Sequence, residues 1–213
     1  MTTDLDTSTS TTRERILRAA ERLYAERGLD GVSLREITEA AGQRNNAAVH
    51  YHFGGRDGLV RALFEQRFAA LDARRAALLA ELDASGRGAD VPSLVNVLVA
   101  PFAEAGDGPD SHWVRFVARL HEDPRFNPFA GDRPYTASED VTVASREVTA
   151  RIRKALELSP EVGNERFFLV TTMAVHAVAD RQALVAAGVA DRLPSGPRLV
   201  EVLVESAVRL LSG

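Results

Sequence analysis

Glycine falls at positions 28, 42 and 54–55 and divides the front of the chain into one long helical piece and two short ones. Each stop is matched by a start. Thr11-Thr12-Arg13-Glu14 is a capping box, a hydroxyl followed three residues later by a carboxylate, so that each satisfies a free donor at the helix end. From there Ile16, Ala20, Leu23 and Tyr24 recur at helical spacing, and Gly28 ends the run in a left-handed cap. Ser33-Leu34-Arg35-Glu36 is a second capping box. It opens a helix with Leu34, Ile37 and Ala41 on one face, which Gly42 ends after about two turns. Asn45 or Asn46 caps a third short helix, and Gly54 or Gly55 ends it. Two short helices joined by a tight glycine-containing turn form a helix-turn-helix pattern. On the third helix Val49 and Phe53 lie four apart and face a small core. Ala47, His50 and Tyr51 then face outward together.

The rest of the chain reads as helix as well. A long amphipathic segment runs from Arg56 to about Ala84, with Leu59, Leu63, Phe64, Phe68, Leu71, Leu78 and Leu82. Further helices fit 93–105, 111–122, about 138–156, 160–187 and 197–211. "SGRGAD", "GDGPD", "DPRFNPFAGDRP" and "LPSGP" separate them. Ser159 before Pro160 is a cap with proline in the first helical position. No strand alternation, repeat or glycine-rich phosphate loop interrupts this pattern, so the expected fold class is all-α.

Composition narrows the function. The chain has 213 residues, 45% of them hydrophobic and only 6% aromatic, which suits a core of Ala, Leu and Val. With no cysteine there is no disulfide, thiolate metal site or cysteine nucleophile. The first ten residues, "MTTDLDTSTS", have neither a basic start nor an apolar core, and are expected to be a disordered tail rather than a signal peptide. No apolar run approaches the roughly 18 residues of a membrane span. A cytoplasmic protein with no membrane partner is the expectation. The net charge is −4, but residues 12–70 carry ten Arg and eight Asp or Glu, a balance of +2, against −6 for the remainder. A weakly basic front on an acidic rear is the distribution of a DNA-reading head on a body that does not touch DNA.

The stretch "NNAAVHYHFGGRDGL" from Asn45 to Leu59 concentrates hydrogen-bonding side chains on one short helix. His50 and His52 are two apart, about 200° around a helix axis, and cannot ligate one ion together. No other ligand set accompanies them. A catalytic histidine needs a nucleophile or carboxylate partner at a recognisable spacing, and none is visible. A capped surface helix with incidental polar residues remains open. So does an outward face that fits the major groove, since Asn and Arg pair with base edges and Tyr, His and Arg bind phosphates.

At "RILRAAERLYAERGLDGVSLREITEAAG" and "AAVHYHFGGRDGLVRALF" the chain resembles the DNA-binding domain of the TetR/AcrR family of transcriptional regulators. The resemblance spans about residues 12–67, and its Tyr-His-Phe-Gly signature with the following Arg-Asp and Leu is specific. It implies a homodimeric, all-helical, ligand-responsive regulator, more often a repressor than an activator, with about nine helices. The implied organisation is a helix-turn-helix domain over 11–55, continuing into the fourth helix to about residue 70, and a helical ligand-binding and dimerisation domain over 56–213. By position, Ser33 and Arg35 lie where the second helix approaches DNA. Arg44, Asn45, Asn46, Ala47 and His50 lie where base edges are read. Tyr51, His52 and Arg56 match phosphate contacts. Between Gly42 and Phe53 the chain is one residue longer than the commonest family pattern, which shifts the register of Gln43 to Asn46. The implied partners are a palindromic operator, a small-molecule effector and a second copy of the chain; no cofactor is implied. The rival is a helical metabolic enzyme or small-ligand carrier without DNA function.

For the rear half, Trp113, Phe116, His121, Phe167, Met173 and His176 are the expected lining of an effector pocket. The last two helices are apolar over more than one stripe, which calls for a partner beyond their own core. Val170, Ala174, Ala177, Val178, Leu203, Ala207 and Leu211 are the expected dimer contacts, forming a four-helix bundle across a twofold axis.

Overall fold

The computed structural model describes residues 4–45, 47–106, 111–127, 142–189 and 193–213, with side chains from residue 12 onward. The described residues form nine α-helices and no strand. They are α1 (Asp4–Arg27), α2 (Leu34–Ala40), α3 (Ala47–Phe53), α4 (Arg56–Ala84), α5 (Val91–Gly106), α6 (Trp113–Glu122), α7 (Val143–Ala155), α8 (Pro160–Ala186) and α9 (Gly196–Ser212). None of them is long and apolar enough to cross a membrane.

Helix α1 begins at Asp4 and runs through the Thr11–Glu14 box without a break, where the sequence pattern had it start at that box. No glycine or proline interrupts residues 4–27, so a helix nucleated on the buried stripe of Ile16, Ala20 and Tyr24 can propagate back to two acidic residues. The second capping box forms as expected. The Ser33 hydroxyl accepts from the Glu36 amide, and the Glu36 carboxylate accepts from the Ser33 amide at 2.8 Å. Arg27 joins the same carboxylate at 2.7 Å and fastens the end of α1 to the start of α2. These bonds, those from Ser33 first, hold the Glu36 carboxyl down at about 2.

α4 belongs to two packing units at once. Leu59, Val60 and Leu63 are buried with Ile16, Ile37 and Val49 in the head; Leu71 and Leu79 are buried in the body. Arg67 on α4 makes two bonds, at 2.6 and 3.0 Å, to Glu21 on α1. Beside them the Tyr24 ring stacks on Phe116 of α6 at 6.2 Å, Phe116 meets Trp113 at 5.9 Å, and Trp113 meets Phe64 of α4 at 5.6 Å. Head and body therefore share one continuous core.

The start of α7 is held from outside its own chain segment. The Asp72 carboxylate, buried on α4, accepts from the amides of Ala144 and Ser145 at 2.8 Å each and from the Ser145 hydroxyl. A side chain from another helix thus supplies the cap that a residue before α7 would ordinarily provide. The expected start near residue 138 lies outside the described residues.

Asp72→Ala should lower the unfolding free energy by about 3 kcal/mol, because it strands buried amides and removes the compensating charge near a buried arginine. Urea unfolding followed by circular dichroism measures the loss; a change under about 0.5 kcal/mol would contradict the capping role.

Candidate functional site

The outward face of α3 is presented as expected. Val49 is fully buried and Phe53 packs against the core, with the Arg13 guanidinium 5.4 Å from its ring. On the opposite side Ala47 and His50 are exposed, and Tyr51 is 81% exposed. The Asn45 side-chain oxygen accepts from the Ala47 amide at 2.9 Å, so Asn45 shapes the entry to α3. Arg44 is exposed just before it, and Asn46 lies outside the described residues. His52 is half-buried, its ring edge-on to Tyr51 at 5.0 Å and tilted against Phe53 at 6.0 Å. On α2 the Ser33 hydroxyl is occupied by the capping box, while Arg35 is exposed and paired with Glu39 at 2.8 Å.

Two glycines set how α3 is carried. Gly54 has φ +72°, a left-handed conformation that ends α3 and costs other residues steric strain. Gly58, inside the first turn of α4, lies so close to the end of α3 that a Cβ there would stand 1.8 Å from the Phe53 carbonyl oxygen. The sequence reading assigned Gly54 or Gly55 as the helix stop and passed over Gly58.

Arg56 is a correction. It was expected to reach DNA phosphate, but its two terminal nitrogens donate inward, to the carbonyl oxygens of Leu29 (2.5 Å) and Val32 (2.7 Å). A guanidinium is a rigid planar fork, and the two carbonyls of the α1–α2 connection present matching acceptors. Arg56 therefore buttresses the helix-turn-helix unit and leaves the outward face to α3.

The body holds a cavity of about 290 Å³ between α4, α5, α6 and α8 and the start of α7. Its walls are mostly apolar: Phe64, Phe68, Leu98, Phe102, Trp113 and Val170 are among them. Of the six expected lining residues, Trp113 and His121 reach it. Phe116 is fully buried against Tyr24, and Phe167 lies under the Arg153 guanidinium at 5.1 Å; both are plain core. Met173 and His176 do not line the wall, although the His176 ring stands 6.5 Å from that of His121. The sequence reading missed Phe64, Phe68 and Arg75, all on α4, because it treated the α4 stripe as ordinary core. Their spacing at 64, 68, 71 and 75 was the available signal.

Burial, with a smaller push from His176, lowers the His121 pKa to about 4. The imidazole is therefore neutral at neutral pH. Burial also brings Arg75 down to about 10, against the pull of Asp72, so its charge persists.

The expected dimer contacts are corrected too. Val170, Ala174, Val178, Leu203, Ala207 and Leu211 are all buried within one protomer, and Val170 and Ala174 line the cavity. Ala177 is half-buried against the same core. The richest apolar stripe of a helix turns to its own core first. The secondary stripe, with Leu169, Leu184, Val202 and Leu210 between 37% and 49% exposed, is what faces outward.

A helix-turn-helix head with an outward polar face thus stands on a helical body that encloses an apolar cavity. Residues 16–63 match the family model of bacterial regulatory proteins, tetR family. No curated protein matches the chain. Among solved structures it is similar to HlyIIR, a hemolysin II transcriptional regulator, with 16% identity, a TM-score of 0.52, and 92% of this chain and 98% of that chain covered. It is likewise similar to a mutant of HlyIIR carrying a linker with two thrombin sites, with 17% identity, a TM-score of 0.51, and 92% and 99% covered. These likenesses show the fold. The family match is confined to the head, residues 16–63, and the fold likeness extends over the whole chain.

Three outcomes follow from these placements. Arg56→Ala should destabilise the protein by about 1–3 kcal/mol in urea unfolding, since two carbonyls lose their donor, whereas Tyr51→Ala should stay within about 0.5 kcal/mol. Gly58→Ala should cost about 1–3 kcal/mol, because the nearest atom is backbone and cannot swing away. His121 resists protonation when folded but not when unfolded, so the unfolded state binds the extra proton first. Stability should begin to fall as pH drops below about 6.5 and continue to do so toward about 4. His121→Leu should remove that component, which thermal melts at a series of pH values will register.

Proposed function

We propose that the protein is a repressor that binds a palindromic operator as a homodimer and leaves it when a small molecule fills the body cavity. The observation that carries the DNA part is the two-sided character of α3, with Val49 fully buried and Tyr51 81% exposed beside His50 and Ala47. A buried anchor fixes the helix while short and polar side chains meet base edges and phosphates. Arg44, Asn45, Asn46, Ala47 and His50 are assigned to base edges. Tyr51 and His52 are assigned to phosphates, with Ser33 and Arg35 at the approach of α2. Arg56 supports this set from behind.

Homodimerisation is assigned to the exposed apolar face of α8 and α9, marked by Leu169, Leu184, Val202 and Leu210. Two such helices paired across a twofold axis give a four-helix bundle. The heads would then present recognition helices roughly 34–36 Å apart, one turn of DNA. Coupling is assigned to α4 and α6, which both line the cavity and pack against the head. A ligand changes DNA affinity only by binding one head spacing better than another.

Binding-site selection from random DNA tests this reading. The wild type should enrich a palindrome. His50→Ala should relax one base position in each half-site, at a cost of roughly 1–3 kcal/mol. Leu169→Arg should yield a monomer by sedimentation and lose operator affinity while keeping its helical spectrum. Failure of any sequence to enrich would favour the carrier or enzyme without DNA function.

A further inference from the structure

The geometry points to an apolar carboxylic acid as the ligand of the body cavity, its carboxylate held by the Arg75 guanidinium. The inference rests on reading that cavity as a ligand site and adds the chemistry of the ligand. Arg75 is a wall residue and only 6% exposed. One terminal nitrogen donates to the Ser145 hydroxyl and the other to the Leu98 carbonyl, each at 2.8 Å, while its Nε has no partner. Buried guanidinium donors are ordinarily satisfied, and one left over in the wall of a cavity is a position for an acceptor.

The charge arrangement favours an anion over a neutral acceptor. Asp72 stabilises Arg75 through space, but its oxygens already accept from two amides and the hydroxyl at the start of α7. No carboxylate therefore hydrogen-bonds the guanidinium directly among the described residues. The Phe68 ring lies 5.5 Å from it, and on the guanidinium's in-plane edge the Nε is the nitrogen without a partner. A carboxylate meets that edge with the shape a guanidinium fork recognises. The neighbouring titratable group, His121, is neutral and adds no competing charge.

The remaining wall specifies the body of the ligand. Phe64, Phe102, Trp113, Leu120, Phe126 and Val175 offer rings and branched chains and almost no hydrogen-bonding groups. A volume of about 290 Å³ is on the order of ten water volumes, enough for a short fatty acid or an aryl-alkanoic acid.

Calorimetric titration of the DNA-free protein with octanoate and phenylpropanoate, each beside its primary amide, tests this. At least one acid should bind roughly ten-fold tighter than its amide, a difference of about 1.4 kcal/mol. In Arg75→Gln that preference should vanish while amide binding persists. If Arg75→Gln fails to fold, the acid-to-amide ratio in the wild type decides alone. Equal or weaker binding of both acids overturns the inference, as does an acid preference that survives in folded Arg75→Gln. Operator affinity is measured separately. An acid that binds with the expected preference yet leaves operator affinity unchanged sustains the ligand class and counts against the effector role.

Discussion

Everything in this molecule depends on α4 being buried twice. A helix of 29 residues has room for two apolar stretches in series, and this one commits the first to the head and the second to the body. Leu59, Val60 and Leu63 complete a three-helix unit too small to enclose much surface alone. Continuity into the body, through Phe64 and Trp113, removes that limitation. Helix α3 is only seven residues long and owes its position to what surrounds it: Val49 beneath, Phe53 under Arg13, and Gly58 admitting the next helix at backbone distance.

Polar contacts in the interior follow the same economy. Asp72 and Arg75 are one turn apart on α4, and between them they reach α5 and α7. An aspartate and an arginine in a helix that otherwise turns apolar residues inward would be destabilising if unpaired. Here Asp72 is taken up by the start of α7, and two of the three guanidinium nitrogens of Arg75 by Ser145 and the Leu98 carbonyl. Ser145 serves both, accepting from Arg75 and donating to Asp72.

Local signals made the head legible from sequence, and their absence hid the body. The Ser33–Glu36 box, the stop at Gly54 and the inward pair Val49 and Phe53 are decided within a few residues of chain, so the sequence predicted them correctly. Arg56 could not be read that way. Whether a guanidinium turns to DNA or to the carbonyls of Leu29 and Val32 depends on atoms 24 to 27 residues away. The cavity shows the same divide. Trp113 and His121 were visible as unusual residues, but Arg75 became part of a wall only once α5, α6 and α7 had closed around α4. The residues expected at a dimer face lie in the protomer's own core for a related reason: hydropathy ranks the stripes of a helix without saying which core claims the stronger one.

The seam between α1 and α6 differs in kind from the seams α4 makes. Glu21 with Arg67, and Asp72 with α7, are directional contacts that hold one registry. Tyr24 against Phe116 is a stacked pair, and the Tyr24 hydroxyl buried beside it donates to nothing; burial raises its pKa to about 12. Dispersion between flat rings changes little over small lateral displacements, whereas a hydrogen bond is lost within an ångström. The molecule thus has directional joints along α4 and a ring-on-ring contact between α1 and α6, with the exposed Arg125–Asp30 pair, 2.8 Å, as a polar tie at the far end of that seam.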